Sequence, residues 1–274
     1  MIIGCSNLEA QNLMIPRASP KATVSQAIGV CTIAVDYGRP SVRNRTIFGD
    51  LVPYGKVWRA GANEATVIRF DYPIMIGDKQ VEAGTYGLFM IPRNDKWTVI
   101  LNKDWDQWGA YNYRVEDDIV RIDVIPNSNT HTEICIYSFV EVNKTQAILR
   151  MEWENVQIDL KIKTSTGVQT LEEIAKVTSN AQQNWYNFSA AAQYHFYELK
   201  EAEKGLEYIN VAIALQAPNP APWMLKSQIY ASMGRYEEAI QIAEMAIEVC
   251  NKHNFDYEIH ENEENIKKWL KKRE

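Results

Sequence analysis

The chain has 274 residues, 46% of them hydrophobic, and a formal net charge of −6. That length holds one large domain or two ordinary ones with real cores, and the mild acidity excludes the broad basic surface that general nucleic-acid binding needs. No apolar run approaches the roughly 18 residues of a membrane-spanning helix.

Residues 1–18 come first and read as an N-terminal tail or as the remnant of an export signal. Met1, Ile2 and Ile3 are apolar, and Gly4, Cys5 and Ser6 are small. Ile2-Ile3-Gly4-Cys5 resembles the lipobox of bacterial lipoproteins, in which the Cys is lipidated; by that route the protein is periplasmic or envelope-associated.

From residue 19 to about 165 the pattern is β. Cys31, Ile33, Val35 and Tyr37 alternate with Thr32, Ala34 and Asp36, the signature of a strand with one face buried. The same alternation predicts strands over 120–124 and 156–162, and β-rich composition adds 23–28, 66–71, 85–91, 97–102, 133–140 and 146–153. Segments 74–77 and 79–82 flank Gly77-Asp78, a hairpin signal. About ten short strands with few helices between them predict an antiparallel β-sandwich, jelly-roll-like because the long 38–64 connection suits a crossing between sheets.

That connection has neither strand nor helix period, and loops of its length are usually functional or disordered. It carries Ile47, Phe48, Leu51, Val52, Tyr54, Val57 and Trp58, which argues for order. It also carries five cations, Arg39, Arg43, Arg45, Lys56 and Arg59, against two acids, Asp50 and Glu64. Within it Arg39, Trp58, Arg59, Asn63 and Glu64 are candidate ligand contacts: arginine offers a planar fork for carboxylate or phosphate, Asn63 both a donor and an acceptor. The structural alternative pairs Arg59 with Glu64 or Asp50 and buries Trp58 beneath. A second candidate segment, 102–113, supplies Asn102, Trp108 and Tyr111 among amides and acids, a composition suited to stacking a sugar ring, with core packing as its alternative. If both loops share one end of the sandwich they form a single cleft.

Nothing predicts a metal, a cofactor or a catalytic nucleophile. Cys5, Cys31, Cys135 and Cys250 have no ligand spacing; Cys31 and Cys135 are either buried free thiols or a pair between neighbouring strands. His131 reads as a surface residue in a polar turn with Asn127, Asn129 and Thr130. A glycosidase-like pair would draw on Glu64, Asp104, Asp106 or Glu116.

Residues 166–274 are helical and hold 11 Lys and Arg against 16 Asp and Glu. Trp223, Tyr230, Gly234, Tyr236, Ala239 and Ala246 match the pattern of a tetratricopeptide repeat, a helix–turn–helix unit of about 34 residues. A degenerate repeat precedes it, and an amphipathic segment, 259–270, caps it. The second domain is therefore expected to be a tetratricopeptide-like α-helical hairpin array with a protein or peptide partner.

The β half resembles a bacterial family of Bacteroidetes type, domain of unknown function 2911. The resemblance rests on Asp36-Tyr37 with Arg39-Pro40, Ile47-Phe48-Gly49, Leu51-Val52-Pro53-Tyr54-Gly55, Val57-Trp58-Arg59, Gly61-Ala62-Asn63-Glu64-Ala65-Thr66, Ala83-Gly84-Thr85-Tyr86 and Gln107-Trp108-Gly109-Ala110-Tyr111. It implies an exported protein made with a signal peptide, and it supplies no catalytic residues. Asp50 stands where the family usually has Gly. The expected function is a non-enzymatic binding module, with a small anionic or glycan-like ligand on the sandwich. An envelope carbohydrate hydrolase and a plain structural scaffold are the alternatives.

Overall fold

The computed structural model of the protein describes residues 16–179, 184–215, 217 and 219–273; the Cys5 motif lies outside them. Two antiparallel sheets occupy the N-terminal part, and six α-helices follow among the described residues. The chain divides into two compact units between Thr170 and Leu171.

The strands are β1 (Lys21–Ile28), β2 (Cys31–Gly38), β3 (Thr66–Phe70), β4 (Ile74–Ile76), β5 (Lys79–Val81), β6 (Gly84–Ile91), β7 (Trp97–Asn102), β8 (Asp118–Val124), β9 (Asn127–Val140) and β10 (Gln146–Thr164). Six form one sheet in the order β1-β2-β3-β6-β7-β8, and four form the other in the order β5-β4-β10-β9. Two expectations need correction. Segments 146–153 and 156–162 are one strand, β10, whose pairing with β9 shifts register on both sides of Glu154. Glu154 has a left-handed φ of 55°, so the polar interruption is a bulge and not a turn. His131 lies in β9, not in a turn: Thr132 pairs with Glu154 and Ser128 with Val156. That end of β9 is largely exposed, so backbone pairing holds it and no apolar alternation marks it.

Side chains from both sheets meet in one buried cluster, and the 38–64 connection adds Val42, Ile47, Phe48, Val52, Trp58 and Ala60 to it. Trp58 stacks on Trp153 of β10 with centroids 5.8 Å apart. Phe48 stands edge-on to Trp97 of β7 at 4.7 Å and to Trp153 at 5.8 Å. The connection therefore supplies two of the four central rings, and burying each contributes a few kcal/mol.

The apolar runs of β6 and β7 do not alternate, because both of their faces are covered. Leu88, Met90, Val99 and Leu101 enter the main cluster. Phe89, Ile91 and Ile100 pack instead with Val57, Ala110 and Tyr113 from the two long loops and with Ala65, just after the first of them. Cys31, Cys135 and Cys250 are free, buried thiols; burial pushes Cys31 up to about 11 and Cys135 up to about 12.

The helices are α1 (Thr166–Thr178), α2 (Trp185–Gln193), α3 (Ala202–Ala214), α4 (Ala221–Ser232), α5 (Tyr236–His253) and α6 (Asp256–Arg273), with a π-helical turn at Tyr194–Glu198 after α2. From α2 onward each packs on the next. Ala212, Ala239, Ala243 and Ala246 are fully buried, which lets successive helices approach closely. Gly234 turns the chain between α4 and α5 at a φ of 74°, a conformation that favours glycine.

Candidate ligand-binding site

The 38–64 connection is fixed at both ends by backbone pairing. Cys135 N–H donates to Pro40 O at 2.9 Å and Val42 N–H to Glu133 O at 2.8 Å, tying its start to β9. Trp58 and Met90 exchange two hydrogen bonds of 2.8 Å, tying its end to β6. Three of its five cations serve this path. Arg39 Nε donates to Cys135 O at 3.3 Å, Arg43 Nη2 to Ala18 O at 3.0 Å, and Arg45 Nε and Nη2 to Val42 O and Ser41 O at 3.0 and 2.6 Å. Arg39 thus binds the fold's own backbone.

The second loop lies against this end. Ala65 N–H donates to Gln107 O at 2.9 Å, Gly109 N–H donates to Asn63 O at 3.0 Å, and Glu64 bridges Trp108. The buried Gln107 shapes the loop by donating to Asp104 O at 2.8 Å and accepting from Asn112 N–H at 3.1 Å. Asn102 is fully buried. Its amide donates to Arg114 O and Asp118 Oδ1 at 2.9 and 2.8 Å, and its oxygen accepts from Asp104 N–H at 2.8 Å. It is a hinge pin of the loop and not a ligand contact, because every polar group it has is already used. Trp105, Trp108 and Tyr111 are exposed, Tyr111 by 83%.

Between the loops is a cleft of about 290 Å³. Leu51, Val52, Pro53, Val57 and Ala110 form its apolar walls, and Lys56, Arg59 and Tyr111 are its polar lining. Trp58 borders it, but the ring is buried and its Nε1–H donates to Gly61 O at 3.1 Å, so its role is in the core. Arg59 is half-buried. Its Nε is shielded and has no hydrogen-bond partner among the described residues, and neither Arg59 nor Lys56 has an ion-pair partner among them. Burial pulls the Arg59 pKa down, and nearby Tyr111 partly restores it. Of the two expected acids, Glu64 pairs with Arg17, accepting from Nη1 at 2.6 and 2.9 Å, and Asp50 forms no ion pair with Arg59 among the described residues.

The backbone that presents Arg59 is tightly held. Ala60 has a left-handed φ of 53°, which is strained for a residue with a Cβ. Its carbonyl accepts from Thr66 Oγ1 at 3.0 Å and from Tyr137 Oη at 2.8 Å. Asn63, also left-handed, donates Nδ2 to Ser19 O at 3.0 Å.

Of the eight predicted contacts, Trp58, Arg59 and Tyr111 line the cleft, Trp58 with its indole N–H engaged by Gly61 O. Trp108 is exposed beside it in sequence, while Arg39, Asn63, Glu64 and Asn102 are engaged by the fold. The prediction missed the walls around Leu51 and Pro53. The signal available was the unbroken apolar runs of β6 and β7, which require loops to cover their outer face. A second cleft, of about 120 Å³, is lined in part by Asp36, Glu64 and Asp106. Burial pushes the Asp36 and Glu64 carboxyls up, but hydrogen bonds from Thr23 and Arg69, and from Arg17, hold both below the usual range.

A family model described as protein of unknown function, DUF2911, matches residues 19–162, just over half of the chain. A search of the curated proteins finds no match.

Proposed function

The chain belongs to the DUF2911 family, and we propose that it is a binding protein whose β-rich unit seats a small anionic or glycan-like ligand in the Arg59 cleft. One observation carries this reading: the half-buried, charged Arg59 lines a cleft with no counter-ion among the described residues. A half-buried charge without a partner is costly and is expected where a ligand completes the site. No carboxylate belongs to the cleft's described lining, so a two-carboxylate hydrolysis has neither its acid nor its base there.

In this reading the two sheets are a β-sandwich whose long connections form the ligand end. The helical unit is a short tetratricopeptide-like array: Ala239 and Ala246 are buried where helices meet, and Gly234 makes the turn. Such arrays recognise proteins or peptides. Export to the periplasm or envelope belongs to the same reading and rests on the sequence resemblance.

A thermal-shift screen of sugars, peptidoglycan fragments and small anions tests the binding role. A ligand present at about 100 times its Kd stabilises the native state by about 2.7 kcal/mol, which for a unit of this size raises Tm by roughly 5–10 °C. The shift disappears in Arg59→Met. A panel that produces no shift, or shifts that survive the substitution, overturns the proposal.

A further inference from the structure

We infer that the Arg59 cleft is selective for a small monocarboxylate carrying an apolar body, with the guanidinium holding the carboxylate and the loop walls holding the rest; this rests on the binding reading above. The loop begins with five cations, and the fold consumes three of them. The charge that remains, Lys56 and Arg59, lines a single cleft. The two differ in kind. Lys56 is exposed and acts as a hydrated point charge that raises the local concentration of anions. Arg59 is half-buried and is presented from a backbone fixed at Ala60 by two hydrogen bonds, so it sets geometry.

Nε of Arg59 is shielded and has no partner among the described residues, which leaves the Nη groups as the donors a ligand in the cleft can use. Two parallel Nη–H donors match the two oxygens of a carboxylate. The walls decide the remainder of the ligand. Lys56, Arg59 and Tyr111 supply the hydrogen-bonding side chains of the lining, while Leu51, Val52, Pro53 and Val57 add none, so the water stripped from the hydroxyls of a hexose or the several hydrated oxygens of a phosphate is only partly replaced, which is unfavourable. An apolar body gains from the same walls. The exposed ring of Tyr111 at the rim favours a flat or aromatic one. The volume holds roughly ten water molecules, at the small end of ligand sites.

The test is calorimetric titration of the full chain with phenylacetate, phenylacetamide, glucose, glucuronate and inorganic phosphate, repeated on Arg59→Met and Tyr111→Ala. Phenylacetate is expected to bind at least about tenfold more tightly than its neutral amide, the ratio that separates charge-assisted from neutral hydrogen bonds, and more tightly than the other three probes. Arg59→Met loses the distinction between acid and amide. Tyr111→Ala, at a site too exposed to disturb folding, weakens phenylacetate several-fold. Equal binding of acid and amide, or preference for glucose, glucuronate or phosphate, overturns the selectivity while leaving a binding module in place. No heat with any probe, together with no thermal shift in the wider screen, overturns both.

Discussion

Replacing Arg59 by Met should not destabilise the ligand-free protein, although it removes a half-buried charged residue from an ordered loop. Nothing in the described fold is lost with the guanidinium, since its Nε is unpartnered and it has no ion-pair partner among the described residues. A shielded donor left unsatisfied costs about 1–3 kcal/mol in the native state. Burial also lowers the Arg59 pKa, meaning that the fold opposes the charge. Met retains most of the apolar stem. The expected change runs from zero to about 1 kcal/mol of added stability, which is a Tm rise of roughly 0–4 °C for a unit of this size. Arg39→Met is the control, because it breaks a charged hydrogen bond to Cys135 O across 96 residues of chain and should cost about 1.5–3 kcal/mol. Thermal unfolding followed by tryptophan fluorescence, in buffer free of carboxylates, reads both. A fall of more than about 5 °C in Arg59→Met would show that the guanidinium pins the loop, and the case for a ligand would collapse with it.

Three other substitutions probe the frame. Asn102→Ala strands the Arg114 carbonyl, Asp118 Oδ1 and the Asp104 N–H, and should lower stability in urea unfolding by on the order of 3 kcal/mol. The Asp36 carboxyl is hydrogen-bonded by Thr23 and Arg69 and titrates below its ordinary value. Its contribution is therefore present above about pH 4 and lost as pH falls through the folded-state pKa, and Asp36→Asn should flatten that acid limb of the stability profile. A Cβ at Gly234 would meet nothing within 4 Å among the described residues, but its φ is +74°, so Gly234→Ala should cost about 1 kcal/mol from backbone strain alone, measured as a small drop in helical melting temperature.

The sequence by itself determined the local elements. Alternation in Cys31–Gly38 gives β2, the switch of period after Thr164 gives the change from sheets to helices, and buried Ala239 and Ala246 follow from the spacing of small residues. These patterns are carried by neighbours within one or two turns or strand repeats, so they can be read along the chain. Residues 146–162 could not be separated from two strands, because a bulge at Glu154 and a turn leave the same polar interruption. Arg39 and Arg59 could not be ranked either, since both are arginines in the same cationic loop. Only the tertiary structure set them apart, by bringing the Cys135 carbonyl to one and, among the described residues, no acceptor to the Nε of the other. The same holds for Asn102, whose partners arrive from the loop and from β8, and for Trp58, whose indole is stacked by a strand nearly a hundred residues away. Whether a polar side chain is free or engaged is a property of what surrounds it in space, and that surrounding is assembled from distant segments only in the folded chain.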